Sequence, residues 1–113
     1  MLPKRHRLRS ADFKRLRGAT LLHTPHFLIR VKPDARRAAA AAVVSVAVAK
    51  NAVSRNLLRR RMYAILQKSF LSSAKPALLV VTAKKGAMEL TFGELQQELF
   101  AGLCRAGLYS APG

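Results

Sequence analysis

The densest group of chemically distinctive side chains lies at residues 55–61, where four arginines and an asparagine fall within seven consecutive positions. Arginine is permanently charged, presents a planar set of donors that matches phosphate oxygens, and stacks on bases. On a helix, Arg55 and Arg59 lie one turn apart, and so do Asn56 and Arg60, so these side chains form one ridge. The segment predicts a polyanion-binding surface, with a solvated charged face as the alternative, and by itself does not distinguish RNA from DNA.

The charge of the whole chain also favours a polyanionic partner. Its 113 residues contain 21 Lys and Arg against 5 Asp and Glu, a formal net charge of +16. The balance is +18 over residues 1–85 and −2 over residues 86–113, so the positive field is concentrated on one part of the chain. Nucleic acid gains affinity by releasing counterions. It is favoured over an anionic membrane, which would need an amphipathic basic helix with bulky apolar residues facing lipid.

Bond chemistry by the protein itself is not predicted. The acidic residues are scattered, without the pair or cluster that acid–base catalysis or two-metal hydrolysis requires. No metal site is predicted, because His23 and His26 have no acidic or cysteine ligand near them in sequence. Cys104 is expected to pack in the core rather than to act as a nucleophile. Phe13 and Tyr63 are the aromatic residues nearest the basic elements, and we expect either stacking on single-stranded bases or core packing.

Hydrophobic periodicity and capping residues predict the elements that position these side chains. Half of the residues are hydrophobic, enough for one domain over residues 1–113, and the uncharged run 38–49 is too short to cross a bilayer. The first predicted elements are a helix over 11–17, a strand over 26–32, a polar hairpin connection over 32–37 and a strand over 41–49. A basic helix follows over about 53–71, with Leu58, Met62, Ile65 and Leu66 on its apolar face, and then a strand over 77–83. The last helix starts at a Thr91/Glu94 capping box, carries Leu95, Leu99 and Leu103, and ends near Gly107. Helices over a small sheet predict a two-layer α+β sandwich.

Three stretches of the chain match motifs that occur together in a known family. They are Leu-Pro-Lys-x-His-Arg-Leu at 2–8 followed by Asp-Phe at 12–13, Asn-Ala-Val-x-Arg-Asn-x-x-x-Arg at 51–60, and Val-Val-x-Ala-Lys-Lys-Gly-Ala at 80–87 followed by Leu-x-Phe-x-Glu-Leu at 90–95. In this order and spacing the chain resembles, over nearly its whole length, the protein subunit of bacterial ribonuclease P.

The resemblance implies both a fold and a role. The fold is α-β-β-β-α-β-α, with a left-handed β-α-β crossover around the basic helix. The role is that of the non-catalytic protein subunit of an endoribonuclease in the cytoplasm. Its partners are the ribonuclease P RNA, which cuts the phosphodiester bond with its own Mg²⁺ ions, and precursor tRNA, whose single-stranded 5′ leader lies between the first helix and the sheet. Neither a protein-bound cofactor nor a small-molecule substrate is implied.

The resemblance also assigns residues by position. The residues it implies as RNA-binding are Arg55, Asn56, Arg59 and Arg60, and those it implies in the leader cleft are Phe13 with Lys84 or Lys85. The basic residues next to the motif, Lys50 and Arg61, are also predicted to bind RNA. Arg17 and Arg30 are also predicted to bind the leader.

The chain departs from the family pattern at several of these positions. Leu57 and Tyr63 stand where the family usually has arginine, and Ser-Val-Ala at 45–47 replaces Ser-Lys-Lys. Arg17 and Arg30 stand where the family has aromatic residues, so guanidinium planes would take the place of rings in stacking. Two other interpretations stay open: a structural RNA-binding protein such as a ribosomal component, and a small DNA-binding regulator, which would need a second helix beside the single basic one.

Overall fold

A mixed four-stranded sheet forms the centre of the part of the chain that the structure, a computed structural model, describes: residues 18–33, 38–68 and 77–107. Its strands are β1 (Thr20–His23), β2 (Phe27–Pro33), β3 (Ala39–Val43) and β4 (Ala77–Ala83), in the spatial order β1-β2-β4-β3. β2 is antiparallel to β1 and β4, whereas β3 is parallel to β4. Helix α1 (Ala52–Leu66) connects β3 to β4, and a 3₁₀ turn (Ala87–Glu89) precedes helix α2 (Phe92–Arg105).

Alternation along β2 separates the two faces of the sheet. Phe27, Ile29 and Val31 are buried, and they share one core with the apolar residues of α1 and α2. Both helices therefore pack on this face. Arg30 lies between these residues in sequence and projects from the opposite face, because successive side chains of a strand alternate. The predicted α+β sandwich is confirmed, and the parallel β3-α1-β4 unit is the predicted crossover, whose left-handed sense stays a prediction.

Helix α1 forms where the periodicity predicts it. Asn51 caps the first turn, its Oδ1 accepting a hydrogen bond of 2.7 Å from the Val53 amide. The four residues of the predicted apolar face are all buried in the core; these are Leu58, Met62, Ile65 and Leu66. Residues 69–71 of the predicted helix lie outside the described residues, as does the whole predicted helix over 11–17.

Helix α2 and strand β4 confirm the sequence predictions. Thr91 Oγ1 accepts from the Glu94 amide at 3.2 Å, and the Glu94 side chain accepts from the Thr91 amide at 2.8 Å, which completes the predicted capping box. Gly107 follows the helix with a φ of +76°, the left-handed conformation that glycine adopts at helix ends. The buried strand over 77–83 has its predicted bounds, and that over 26–32 is displaced by one residue.

Three predictions about the strands are wrong or incomplete. The strand predicted over 41–49 is β3 at Ala39–Val43, because β3 pairs with β4 only as far as Val43 opposite Thr82, one residue before β4 ends. Residues 46–48 form a turn instead. Residues 32–37 do not connect a hairpin, since β4 lies between β2 and β3. β1 is implied only by the family resemblance, since its own residues give no strand prediction.

Candidate RNA-binding surface

Four side chains of α1 line an open groove on the side of the helix that faces away from the core. They are Asn56, Arg59, Arg60 and Tyr63, and the groove has a volume of about 600 Å³. The predicted ridge is thus present, although Arg60 is exposed while Arg59 and Tyr63 are half-buried. We call these four residues the basic groove.

The charge in the basic groove has no counterion on its own helix. α1 contains four arginines and no Asp or Glu, so no intrahelical ion pair neutralises them. Arg59 Nη2 donates a hydrogen bond to Asn56 Oδ1, one turn earlier. This contact restrains a guanidinium group without removing its charge, which lowers the entropy lost when it binds a phosphate oxygen.

Arg55 lies at the edge of the basic groove and also holds the turn before α1 in place. Its Nη1 donates to the carbonyl oxygens of Ala49 and Lys50, at 3.0 and 2.9 Å. These bonds fasten the turn before α1 to the first turns of the helix. They occupy both Nη1 protons and leave Nε and Nη2 as the donors available to a phosphate.

Two predicted RNA-binding residues stand apart from the basic groove. Arg61 follows Arg60 by one position and Arg59 by two, so it is rotated about 200° around the helix from Arg59. It therefore lies on the other flank of α1 and is half-buried there. Lys50 is exposed in the turn before the helix, next to the cap residue Asn51.

The predicted leader-binding residues that the structure describes lie away from α1. Arg30 projects from the sheet face opposite both helices, and its Nε is buried with no hydrogen-bond partner among the described residues. Arg30 pairs with Val80, and Lys84 follows Val80 by four residues. The backbone of Lys84 therefore lies about 13 Å from that of Val80 along the strand direction. Lys84 Nζ donates to the Thr24 carbonyl oxygen at 2.9 Å, while Lys85 is exposed. Phe13 and Arg17 are outside the described residues.

Hydrogen bonds to one carboxylate, that of Glu98, fix the turn between β1 and β2 to α2, and the sequence analysis missed them. We call Glu98, Thr24 and His26 the Glu98 cluster. Glu98 Oε2 accepts hydrogen bonds from Thr24 Oγ1 at 2.7 Å and from the His26 amide at 2.6 Å, and Glu98 Oε1 lies 2.8 Å from His26 Nδ1. Burial raises the pKa of Glu98, but hydrogen bonds from Thr24 and His26 and the charge of His26 outweigh burial and lower this pKa below its usual value. The sequence offers one signal for this contact: Glu98, one of only five acidic residues, lies next to the apolar stripe of Leu95, Leu99 and Leu103.

Other predicted features can also be placed. Cys104 is exposed on α2, so the prediction that it packs in the core is wrong: Leu103 occupies the core and Cys104 is rotated about 100° away from it. Across the described ranges, no three His, Cys, Asp or Glu side chains come together as metal ligands. Neither α1 nor α2, the helices described, combines the length and apolar character of a membrane span.

Comparison with known proteins decides the family. The family model for Ribonuclease P matches residues 2–107. The chain belongs to the ribonuclease P protein family. It is 32% identical over 123 residues to the ribonuclease P protein component of Synechococcus sp. (strain RCC307), with 96% of this chain and 97% of that relative covered. It is 35% identical over 107 residues to that of Citrifermentans bemidjiense, covering 91% and 90% of the two chains.

Solved ribonuclease P proteins share the fold. The Staphylococcus aureus protein matches with a TM-score of 0.83 at 22% identity, covering 95% of this chain and 100% of that one. The Thermotoga maritima protein matches with a TM-score of 0.77 at 23% identity, covering 89% and 97%. The predicted ribonuclease P protein subunit is confirmed, and the ribosomal alternative is not favoured.

Proposed function

We propose that the basic groove, with Arg55 at its edge, binds the ribonuclease P RNA. The observation that carries this proposal is the concentration of arginine on the outer side of α1, a helix without Asp or Glu, in a member of the ribonuclease P family. Guanidinium groups match phosphate oxygens in charge and in hydrogen-bond geometry. A net charge of +16 also repels itself, and a phosphate-rich partner relieves that repulsion.

The chemistry of the reaction falls to the RNA in this proposal. Mg²⁺ requires oxygen ligands in near-octahedral geometry, usually carboxylates together with phosphates and water. The described residues offer no cluster of acidic side chains, so they do not fit a Mg²⁺ site. We therefore propose that the RNA, with its own Mg²⁺ ions, hydrolyses the phosphodiester bond of precursor tRNA in the cytoplasm. This chain contributes binding and orientation.

The 5′ leader of precursor tRNA is the second proposed ligand. Arg30 and Lys84 emerge on or beside the sheet face opposite the helices, so a leader there would not compete with RNA bound at α1. The Nε of Arg30 supports this assignment, because it is buried without a hydrogen-bond partner in the part of the chain that the structure describes, and such a donor is costly unless a ligand satisfies it. Phosphate oxygens or base edges of a single strand provide such acceptors.

Reconstitution tests this function. The chain is combined with the cognate ribonuclease P RNA at low Mg²⁺, and cleavage is measured on precursor tRNAs whose 5′ leaders differ in length. We expect the protein to raise the cleavage rate and to bind long-leader substrates more tightly than leaderless ones. Equal cleavage with and without the protein would contradict the assignment, and binding that ignores the leader would favour a purely structural RNA-binding role.

Arg30→Ala provides the residue-level test of leader binding, with Arg105→Ala as the matched control. Arg105 carries the same charge but is exposed in the last turn of α2. We expect Arg30→Ala to weaken the binding of long-leader substrates by about 1–3 kcal/mol and to leave the binding of leaderless substrates unchanged. The control should change neither. An equal effect of Arg30→Ala on both substrates would remove Arg30 from the leader site.

A further inference from the structure

The basic groove contains an aromatic ring as well as cations. Tyr63 lies one turn after Arg59 and Arg60, and side chains on a helix lean toward its N-terminus, so the ring lies over the turn that carries both guanidinium groups. Part of the Tyr63 side chain packs against the core, and the rest remains accessible in the groove. The core contact restrains the ring, so less side-chain entropy is lost when a ligand packs against it.

We propose that the basic groove holds one unpaired nucleotide of the partner RNA, with its base stacked on Tyr63 and its phosphate on Arg59 and Arg60. This inference rests on the proposed function and assigns a ligand class to the same site. Every base has a π-face, so a ring that is accessible beside paired cations fits a base and its phosphate together. A surface that contacts only duplex backbone can use a tyrosine hydroxyl on a phosphate, but it has no use for an accessible ring face.

The size and composition of the basic groove agree with this ligand. Its volume of about 600 Å³ falls within the usual range for pockets that hold small organic groups. Asn56 closes one end, and its Oδ1 is already bonded to Arg59, so its amide protons remain for a base or sugar oxygen. The four side chains thus provide a flat apolar face, two cations and amide donors, which a nucleotide can engage at once.

Fluorescence of Tyr63 tests the contact directly. The chain has two tyrosines and no tryptophan, so Tyr109→Phe leaves Tyr63 as the only strong emitter. The full chain with Tyr109→Phe is titrated with hexauridylate and with an abasic ribose-phosphate hexamer of equal charge. N-acetyltyrosinamide in the same mixtures corrects for absorption by the bases. We expect saturable quenching by hexauridylate and none by the abasic hexamer; equal responses to both would overturn the proposal.

Two variants at position 63 separate the ring from the hydroxyl. Tyr63→Phe keeps a ring, whereas Tyr63→Leu keeps apolar volume without one. We expect Tyr63→Phe to bind ribonuclease P RNA within about twofold of the parent, and Tyr63→Leu to bind roughly 5- to 150-fold more weakly. The slope of log affinity against log salt should not change in either variant, because stacking releases no counterions. The quenching titration decides the matter if Tyr63→Leu does not fold.

Arg60→Ala distinguishes failure of this inference from failure of the proposed function. If Arg60→Ala weakens RNA binding and a folded Tyr63→Leu does not, the nucleotide site is wrong while RNA binding at α1 stands. If neither variant changes the affinity, both proposals are wrong.

Discussion

Replacing Glu98 with alanine removes a carboxylate that holds together parts of the chain more than seventy positions apart in sequence. Glu98 lies on α2, and its oxygen atoms accept from Thr24 and His26 in the turn between β1 and β2. In the same turn, the Thr24 carbonyl oxygen accepts a hydrogen bond from the Lys84 ammonium group. Loss of Glu98 therefore loosens the turn that positions one of the predicted leader-binding lysines.

The expected loss of stability follows from the bonds and their exposure. Hydrogen bonds to a charged group contribute about 1.5–3 kcal/mol each, but they are not additive, and the Glu98 side chain is 16% exposed. Thr24 Oγ1 keeps its bond to the Phe27 amide, whereas the His26 amide loses its partner. We expect Glu98→Ala to lower the free energy of unfolding by about 2–3 kcal/mol, or the Tm by roughly 8–12 °C.

The effect of Glu98→Ala depends on pH with a defined sign. Hydrogen bonds and the His26 charge, opposed by burial, leave the pKa of Glu98 below its ordinary value of 4.5 in the folded chain. A carboxyl group with a lowered pKa stabilises the fold above its unfolded pKa, and this contribution is lost as pH falls through the folded pKa. The difference in unfolding free energy between parent and variant should therefore shrink as the pH falls below 4.5.

Urea unfolding followed by far-UV circular dichroism measures these differences at pH 7, 5 and 3.5. Glu89→Ala is the control, because it removes the same charge from an exposed position and should stay within about 0.5 kcal/mol of the parent. If Glu98→Ala and Glu89→Ala cost the same, or if the Glu98 difference grows as the pH falls from 5 to 3.5, the Glu98 cluster does not have the role assigned to it.

Three further substitutions test the packing and the caps by thermal or urea unfolding. Leu58→Ala should cost about 2–5 kcal/mol because Leu58 is buried, whereas Leu57→Ala, at its exposed neighbour, should cost under about 1 kcal/mol; equal costs would mean that α1 is oriented differently. Thr91→Ala should cost about 1 kcal/mol through loss of the capping box, and no change would show that the cap is not formed in solution. Gly86→Ala should cost about 1–2 kcal/mol because φ is +96°, while Gly93→Ala should be neutral or stabilising; the reverse order would contradict the turn geometry.

Local patterns in the sequence predict α1 and α2 well. The apolar stripe of α1 and the capping box of α2 depend on residues three and four positions apart, so a short window contains the whole signal. The same helical spacing grouped Arg59, Arg60 and Tyr63 correctly. Arg61 could have been separated from them by the same geometry, because two positions along a helix span more than half a turn.

Long-range pairing explains what the sequence analysis missed. The end of β3 is set by the end of β4, and the hairpin after β2 does not form because β4 enters between β2 and β3. The residues next to the end of β3 and the end of β2 do not determine either feature by themselves. The Glu98 cluster likewise requires α2 to lie across the turn at Thr24, which becomes visible only when the sheet is assembled.

The affinities of Arg60→Ala and Arg61→Ala for ribonuclease P RNA, measured over a range of salt concentrations, test the central claim most directly. These neighbours on α1 have the same charge, but Arg60 lines the basic groove and Arg61 lies on the other flank of the helix. Arg60→Ala should lose about 1–3 kcal/mol of binding and reduce the slope of log affinity against log salt by about 1, whereas Arg61→Ala should lose well under 1 kcal/mol. Equal losses from the two variants, or no loss from Arg60→Ala, would show that the groove side of α1 is not the surface that meets the RNA.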